Sequence, residues 1–529
     1  MAAAQPASGS AEKKATDSLR RVSRAEVAKH NKEGDLWIIV DSDVYNLSTF
    51  ASAHPGGETV LLDANIAGKD STKAFFSLHR SAVLNKYKRL RIARIEKEEP
   101  RLILPQIGAI SKVPYAESSY LRDDTKINPY YKPSHIKLAK AARAFFDEYV
   151  APEAAEHELS GERPTVELIK RMGKAGINHM RLGPGKHLHG VTCLGIPGEE
   201  IDFFHEAILS GEIARTGARG YFDGLNAGMW IGLTPIMSAG SDKLKRDIMP
   251  PVLAGEKFIA LAITDPFAGS DVQGMQATAK KTEDGKHFIV NGTKKWITNG
   301  TFADYFSVGV RTSEKALSML FIPRGEGVET KPIKTSYSPA AGTAYVTFDN
   351  VKVPVENLLG AENKGLAVIL SNFNHERWNM TIITVRWCRF VTEEAFKWAH
   401  QREVFGKALI QQPVIRAKFA DCFALIESHQ AWLDQITANM NAMTYAEMSD
   451  NLAGPIALAK RSATRMAQQI SDHLVQIFGG RGITKGGMGG NIEVFQRSFK
   501  FDAILGGSEE VLGDLGVRQA MRKMPPAML

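Results

Sequence analysis

Residues 262–274 read AITDPFAGSDVQG, and residues 291–300 read NGTKKWITNG. Glycine-rich turns carrying threonine and serine bring backbone N–H groups and hydroxyls close to phosphate or heterocyclic ring atoms. Either stretch alone would serve as a turn between two strands. Both fall in a run of short β-rich segments, FIALAIT, HFIVNGTKKWIT, YFSVGV, SMLFIP and AYVTF, with Asp284–Gly285 marking a hairpin. Upstream, IKLAKAARAFFDEYVAPEAAE and IDFFHEAILSGEIART have the apolar spacing of helices, and from residue 362 onward long helical patterns return. The order is helices, strands, helices, with no internal repeat.

At 529 residues the chain exceeds one ordinary core, and the usual domain size predicts roughly three to four folding units. Its 44% hydrophobic and 23% charged residues are those of a globular protein, and no apolar run is long enough to span a bilayer. Cys193, Cys388 and Cys422 are too far apart for a disulfide framework or a metal-ligand pattern, which fits a reducing compartment. The formal net charge of +8 reads as a solvated basic surface and only weakly as a pull toward acidic partners. The opening MAAAQPASGSAEKKATDSL is small and polar, so disorder is expected over 1–20, and it lacks the apolar core of a secretory signal. Glu12 and Asp17 argue against a transit peptide, and the C-terminal AML has the outline of a peroxisomal address without its basic middle residue. The expected location is cytoplasmic or peroxisomal and not secreted, with a mitochondrial one left open.

A small separate domain precedes this body. Residues 50–59, FASAHPGGET, place His54 directly before Pro55, Gly56 and Gly57, in a tight turn. By default such a histidine is a polar turn residue. Upstream, SRAEVAKHN reads as a short helix with Ser23 as N-cap, and LWIIVDSDVYNLSTF as two strands. Downstream, ETVLLDANIAG and STKAFFSLHRSAV read as short helices, the first ended by Gly68, and bring in a second imidazole, His79. Neutral imidazole is a common ligand of haem iron, and two on facing elements would fill both axial positions. Trp37, Leu47, Phe50, Val60, Leu61, Phe75, Phe76 and Val83 are candidates for lining an apolar pocket, or simply for the core. Residues 99–132, interrupted by Pro100, Pro105, Pro114 and Pro129, read as an extended linker that could pack along a surface.

Over residues 21–98 the chain closely resembles the cytochrome b5 domain. That resemblance implies haem b held by His54 and His79, with no open iron site, and so electron transfer and not oxygen activation. The two opening stretches, with RxxFG at Arg402–Gly406 and QIFGGRG at 476–482, resemble the signatures of the acyl-CoA dehydrogenase family across about residues 133–520. The implied architecture is multidomain: a disordered 1–20, a small α+β haem domain at 21–98, a Pro-rich linker at 99–132 and then the dehydrogenase fold. That fold divides into an N-terminal α-helical domain at 133–258, a middle β-domain at 259–361 and a C-terminal four-helix-bundle domain at 362–529.

Carried over by position, the family implies FAD, with Thr264 and Ser270 facing the flavin ring and pyrophosphate. Trp296 would pack on the isoalloxazine, and Thr298 would hydrogen-bond near N5. Arg402, Phe405, Gln476 and Gly480 would reach the adenosine-diphosphate end of an FAD held mainly by a neighbouring subunit, which implies a homodimer or homotetramer. Ser508 and Glu510 match positions that approach FAD, as does Glu509. Two departures stand out. Family members often carry a glutamine where this chain has Pro413, with Gln412 beside it, and TKGGMGGN at 484–491 looks longer than the usual connection.

Dehydrogenating a saturated thioester needs a carboxylate in a dry pocket to take the α-proton. Many family members place a glutamate where ILGGSEEV, 504–511, has Gly506. The isovaleryl and long-chain branches place glycine there and a Glu-Arg pair in a helix instead, and NHERW, 374–378, resembles that arrangement. Glu376 is therefore the expected base and Arg377 a substrate contact, on one long helix beginning near Lys364 with an apolar stripe through Leu366, Ile369, Leu370, Phe373, Met380, Ile383, Trp387 and Phe390. The alternative for Glu376 is a structural ion pair with Arg377. Gly506 would leave room for the acyl chain, its N–H polarising the thioester carbonyl.

The expected function is FAD-dependent α,β-dehydrogenation of an acyl-CoA in fatty acid metabolism, with the fused haem domain as electron acceptor. Competing readings are an acyl-CoA oxidase, or other flavin chemistry on the same fold, and a basic nucleic-acid-binding flavoprotein. Neither nucleic acid nor a membrane span is expected as a partner. A redox partner protein could dock on KYKRLRIAR, 86–94, which otherwise reads as a solvated helix face.

Overall fold

The computed structural model describes residues 19–101, 106–122 and 128–525. Residues 1–18, where disorder is expected, and the C-terminal AML lie outside these. The chain divides into two compact units, one taking in residues up to 106 with 399–409 and 486–488, the other 107–398, 410–485 and 489–529.

In the first unit, five strands run in the order β1 (Arg20–Val22), β5 (Arg91–Ile95), β4 (Asp43–Asn46), β3 (Asp35–Val40) and β2 (Asn31–Lys32). β1 is parallel to β5, and the other neighbours are antiparallel. Helix α1 (Arg24–Val27) starts where the sequence predicts, with Ser23 Oγ accepting from the Glu26 N–H at 3.1 Å. Side chains alternate along β3, so Leu36, Ile38 and Val40 join Leu47 and Leu61 on one face, while Trp37 and Ile39 join Val22, Val27 and Val44 on the other. Trp37 thereby leaves the expected pocket lining. It stacks on His30, ring centroids 3.6 Å apart, across the sheet from Phe50 and Phe75. Short helices α2 (Glu58–Leu61), α3 (Thr72–Phe76) and α4 (Ala82–Lys86) complete the unit. The basic run 86–94 is not one helix face, because α4 ends at Lys86 and Arg91 and Arg94 lie on β5. Both arginines pair with Asp43, at 2.9 and 2.8 Å, so their charge is used inside the sheet.

The second unit opens with a strap of residues 107–121 that is more than an extended linker. Glu117 is buried, and its carboxylate accepts from Arg143 at 2.9 and 3.0 Å and from Arg386 at 3.0 Å. Arg389 adds bonds to the carbonyls of Tyr115 and Glu117, and Tyr115 stacks on Phe423. Burial pushes the Glu117 carboxyl up, but Arg386 and Arg143 outweigh it and hold the group below the usual carboxylate range. Proline signals predicted the irregular backbone here, but not that one carboxylate would bind it to buried arginines.

Helices α5 (Pro133–Phe145) and α6 (Phe203–Ala214) belong to the first helical layer, around a core of Leu138, Phe146, Met172, Leu209 and Tyr221. The middle domain is an eight-stranded sheet, in the order β11 (Val328–Pro332), β12 (Ala344–Pro354), β8 (His287–Ile297), β7 (Thr278–Lys281), β9 (Tyr305–Arg311), β10 (Leu317–Pro323), β13 (Leu358–Leu359), with β6 (Ile259–Ala262) parallel to β9. Helices then return. The single helix expected from Lys364 is two, α7 (Gly365–Ser371) and α8 (Phe373–Gln401). The Asn372 carbonyl accepts from the Glu376 N–H at 2.9 Å, so the second helix begins as the first stops, and Leu370 falls off the stripe with 48% exposure. Helix α9 (Pro413–Ala442) has Pro413 in its first turn and Gln412 as its N-cap, a place where a missing N–H costs nothing. Helices α10 (Ala453–Phe478), α11 (Gly490–Ile504) and α12 (Glu509–Arg522) follow.

Candidate functional site

Two separate constellations emerge. In the first unit, His54 Nδ1 lies 3.1 Å from the Gly57 carbonyl and His79 Nδ1 lies 3.2 Å from the Phe75 carbonyl. A carbonyl only accepts, so each Nδ1 carries the proton and each Nε2 keeps a lone pair. The ring centroids are 5.9 Å apart. Two imidazoles sharing one ion through metal–nitrogen bonds of ~2 Å have their centres about 6 Å apart. Gly56 permits this turn, since a Cβ there would come within 2.9 Å of His54 Cε1. Burial pushes His79 toward its neutral form, against the pull of its bond to Phe75. The residues present fit a metal held between two neutral imidazoles.

In the second unit the two signature stretches sit side by side, because the Lys295 N–H donates to the Thr264 carbonyl at 2.9 Å. The ammonium of buried Lys294 donates to Ile263 O at 2.7 Å, and the Asp265 carboxylate closes the loop by accepting from the N–H groups of Phe267, Gln276 and Ala277. Trp296 stands at an irregularity of β8 with φ +64° and half its surface exposed. That backbone is costly for a large side chain, so something must hold it. Asn299 contributes: its Oδ1 accepts from Gly228 N–H and its Nδ2 donates to the Asp223 and Ala341 carbonyls. An exposed indole on a braced turn is a surface on which a flat ring can stack. Thr298 is half-buried and Ser270 is exposed.

The other expected cofactor contacts are dispersed. Arg402 and Phe405 lie in a two-residue hairpin of the first unit, where Phe405 has φ +50° and is 95% exposed. Gln476 and Gly480 are exposed at the end of α10 in the second unit. Ser508 caps α12, Glu510 is exposed, and Glu509 is buried and accepts from Thr464 Oγ1 at 2.8 Å.

Glu376 and Gly506, 130 positions apart in sequence, meet. A Cβ on Gly506 would lie 3.6 Å from Glu376 Oε1 and 2.8 Å from Met380 Sδ, and the glycine has φ +67°. Only glycine suits both the space and the backbone. Glu376 is buried, and among the described residues no hydrogen bond or ion pair holds its carboxylate. Burial pushes its pKa up, with Arg377, Lys460 and His375 pulling against it. The structural ion pair with Arg377 does not form: Arg377 Nε donates to the Gly506 carbonyl at 2.8 Å, with the guanidinium over Phe373. A buried carboxylate without a partner is a proton acceptor in waiting.

Sequence reading missed the frame around this pair. Glu206 accepts from His375 and Asn379, each at 2.9 Å, and so grips α8 on either side of Glu376. Lys460 is fully buried on the apolar stripe of α10, between Ile456, Ala457, Ala463 and Ala467. A lysine at that helical period was the available signal. His135, Asp202 and His205 also cluster, but the Lys132 N–H donates to His135 Nδ1, so His135 Nε2 carries a proton toward Asp202 and cannot ligate.

Family models match along most of the chain. Residues 23–96 match the cytochrome b5-like haem/steroid binding domain, 132–256 the acyl-CoA dehydrogenase N-terminal domain, 260–351 its middle domain and 363–521 its C-terminal domain. The acyl-CoA dehydrogenase apdG of Emericella nidulans is 39% identical over 427 residues, 79% of this chain and 97% of that protein. The acyl-CoA dehydrogenase AFT10-1 of Alternaria alternata is 35% identical, over 78% and 97%. Among solved structures, an acyl-CoA dehydrogenase of Bacillus anthracis complexed with FAD superposes with a TM-score of 0.66 at 25% identity, covering 75% of this chain and 69% of that one.

Proposed function

The chain belongs to the acyl-CoA dehydrogenase family, with a cytochrome b5-like domain ahead of its dehydrogenase body, and on that premise we propose that it desaturates an acyl-CoA thioester and delivers the electrons to its own haem. The observation that carries the reading is Glu376, a buried carboxylate without a partner, beside the backbone of Gly506. When bound, FAD supplies the acceptor for a hydride from the β-carbon, and haem b a one-electron acceptor. Thr264, Ser270, Trp296, Thr298, Ser508 and Glu510 would hold FAD, and His54 and His79 the haem iron. Arg402, Phe405, Gln476 and Gly480 would reach the adenosine end of FAD in a second copy of the chain. The 95% exposed Phe405 supports such an oligomer, whose mass in solution should be a multiple of 58.0 kDa.

The protein's own groups divide the work at the substrate. The Glu376 carboxylate accepts the α-proton, and the C–H electron pair moves toward the thioester carbonyl. The Gly506 N–H donates to that oxygen as its charge grows, an interaction worth most where water is excluded. Arg377 uses its Nε on the Gly506 carbonyl and would touch substrate only through its Nη nitrogens. One chain carrying both units keeps the acceptor at a high effective concentration.

An anaerobic acyl-CoA panel tests this. A good substrate should bleach the flavin and then bring up the bands of reduced haem. Flavin bleaching with haem left oxidised refutes the relay, and in a parallel panel run in air, peroxide formed in proportion to substrate replaces the dehydrogenase by an oxidase.

A further inference from the structure

The loop that carries Gly506 is held by cations at every carbonyl. Lys460 Nζ donates to Leu505 O at 2.9 Å and to Gly507 O at 2.7 Å, while Arg377 Nε donates to Gly506 O at 2.8 Å. Lys460 has no exposed surface, which is a costly place for an ammonium unless it is put to use. In a planar trans peptide the C=O and the following N–H point in opposite directions. Anchoring Leu505 O on Lys460 therefore turns the Gly506 N–H away from Lys460, and among the described residues that N–H has no acceptor. Gly506 and Gly507 adopt φ of +67° and +112° without strain, and two successive glycines are free to leave that conformation unless something holds them.

We propose that Lys460 is a positioning residue of the dehydrogenation site: by clamping the carbonyls on both sides of Gly506, it aims the Gly506 N–H at the thioester oxygen. The inference rests on the dehydrogenase reading above and adds the group that preorganises its donor. Lys460 is faced by Asp502, Glu376 and Glu509 as anions and by Arg377 as a cation; burial lowers its pKa to about 8, and the anions oppose that. Its charge also lowers the Glu376 pKa, so it acts on the donor and the base together.

The test uses the full FAD- and haem-containing protein. Its probe is a 3-thia-acyl-CoA labelled with ¹³C at the thioester carbonyl, in which sulfur replaces the β-methylene and leaves no hydride to transfer. Bound to wild type, its carbonyl stretch should move to lower frequency. In Lys460→Met the movement should shrink by at least about half, with kcat falling about 10²-fold and KM nearly unchanged, the pattern of a misaimed donor. Lys460→Gln keeps an N–H donor without charge, so its band should lie between the two, with the acid limb of the pH–rate profile moved to higher pH. If the methionine variant does not fold, the glutamine variant decides alone, and a wild-type band with wild-type kcat in it overturns the proposal. A wild-type protein that binds the probe with no carbonyl movement contradicts the dehydrogenase reading and takes Lys460 with it. A movement that Lys460→Met retains contradicts Lys460 only.

Discussion

The haem unit and the dehydrogenation site solve one problem by opposite means. Each must keep a reactive group uncommitted inside a folded chain. The two histidines are restrained at one nitrogen, Nδ1, by nearby backbone carbonyls, and so left free at the other. Glu376 is restrained at neither oxygen; its freedom comes from burial and from neighbours that bond elsewhere, Arg377 to Gly506 O and His375 to Glu206. A local device needs one turn and one helix. A distributed one needs residues 206, 376, 460 and 506 to arrive together.

The sharpest break in that comparison is Glu376→Gln, which should slow substrate-driven flavin bleaching by about 10²–10⁴-fold while the haem spectrum stays as it is. Normal bleaching would remove the base from Glu376. Next, His79→Ala should abolish the haem absorption band and haem reduction, yet leave bleaching within about twofold, since electron transfer to haem follows the proton step. Bleaching that falls with the haem band would mean the two units are not separable. Third, Glu117→Ala leaves the buried Arg386 without its anion, while Arg143 keeps its pair with Glu212, and should destabilise the dehydrogenase unit by about 3–5 kcal/mol. Calorimetry of the full chain should place that loss in the transition that releases FAD, not in the one that releases haem.

The smallest effect is on stability against pH. The folded pKa of Glu376 is raised by burial, so its protonated form favours the folded state below the unfolded value, and that contribution is lost as pH rises through the folded value. Glu376→Gln should therefore melt above wild type at neutral pH, with the gap closing toward pH 4.5 and below. An equal gap at every pH would mean the carboxylate is not kept out of water. Activity should follow the same group in the other sense, failing on acidification earlier than for an ordinary carboxylate.

Legibility in the sequence followed the same division. His54 and His79 stand out within one short stretch, in a Pro-Gly-Gly turn and a helix, although their expected haem role came from the resemblance, and the two glycine-rich stretches stand out through glycines and hydroxyls close together. The four-domain order was readable from periodicity. Trp37 was misplaced because alternation along β3 fixes its face and no composition rule does. The helix break at Asn372 was hidden because the apolar spacing continues through it. Glu117 looked like any acidic residue in a Pro-rich connector, since the arginines that hold its carboxylate lie on separate helices 26 and 269 residues further along the chain. Lys460 was overlooked for the same reason, as its partners are carbonyls, which every residue has.

The contact between Gly506 and Met380 bears on how such enzymes can change over generations. A Cβ at 506 would meet Met380 Sδ at 2.8 Å and approach Glu376, so no side chain enters that position while Met380 and Glu376 stand where they do. Moving the base between the two locations that the family uses is then not a single mutational step. It requires change at both 376 and 506 with room made at 380: a side chain at 506 alone is crowded, and loss of Glu376 alone leaves no carboxylate there. The two arrangements are separated by an epistatic barrier, which is a reason for lineages that adopt one of them to keep it.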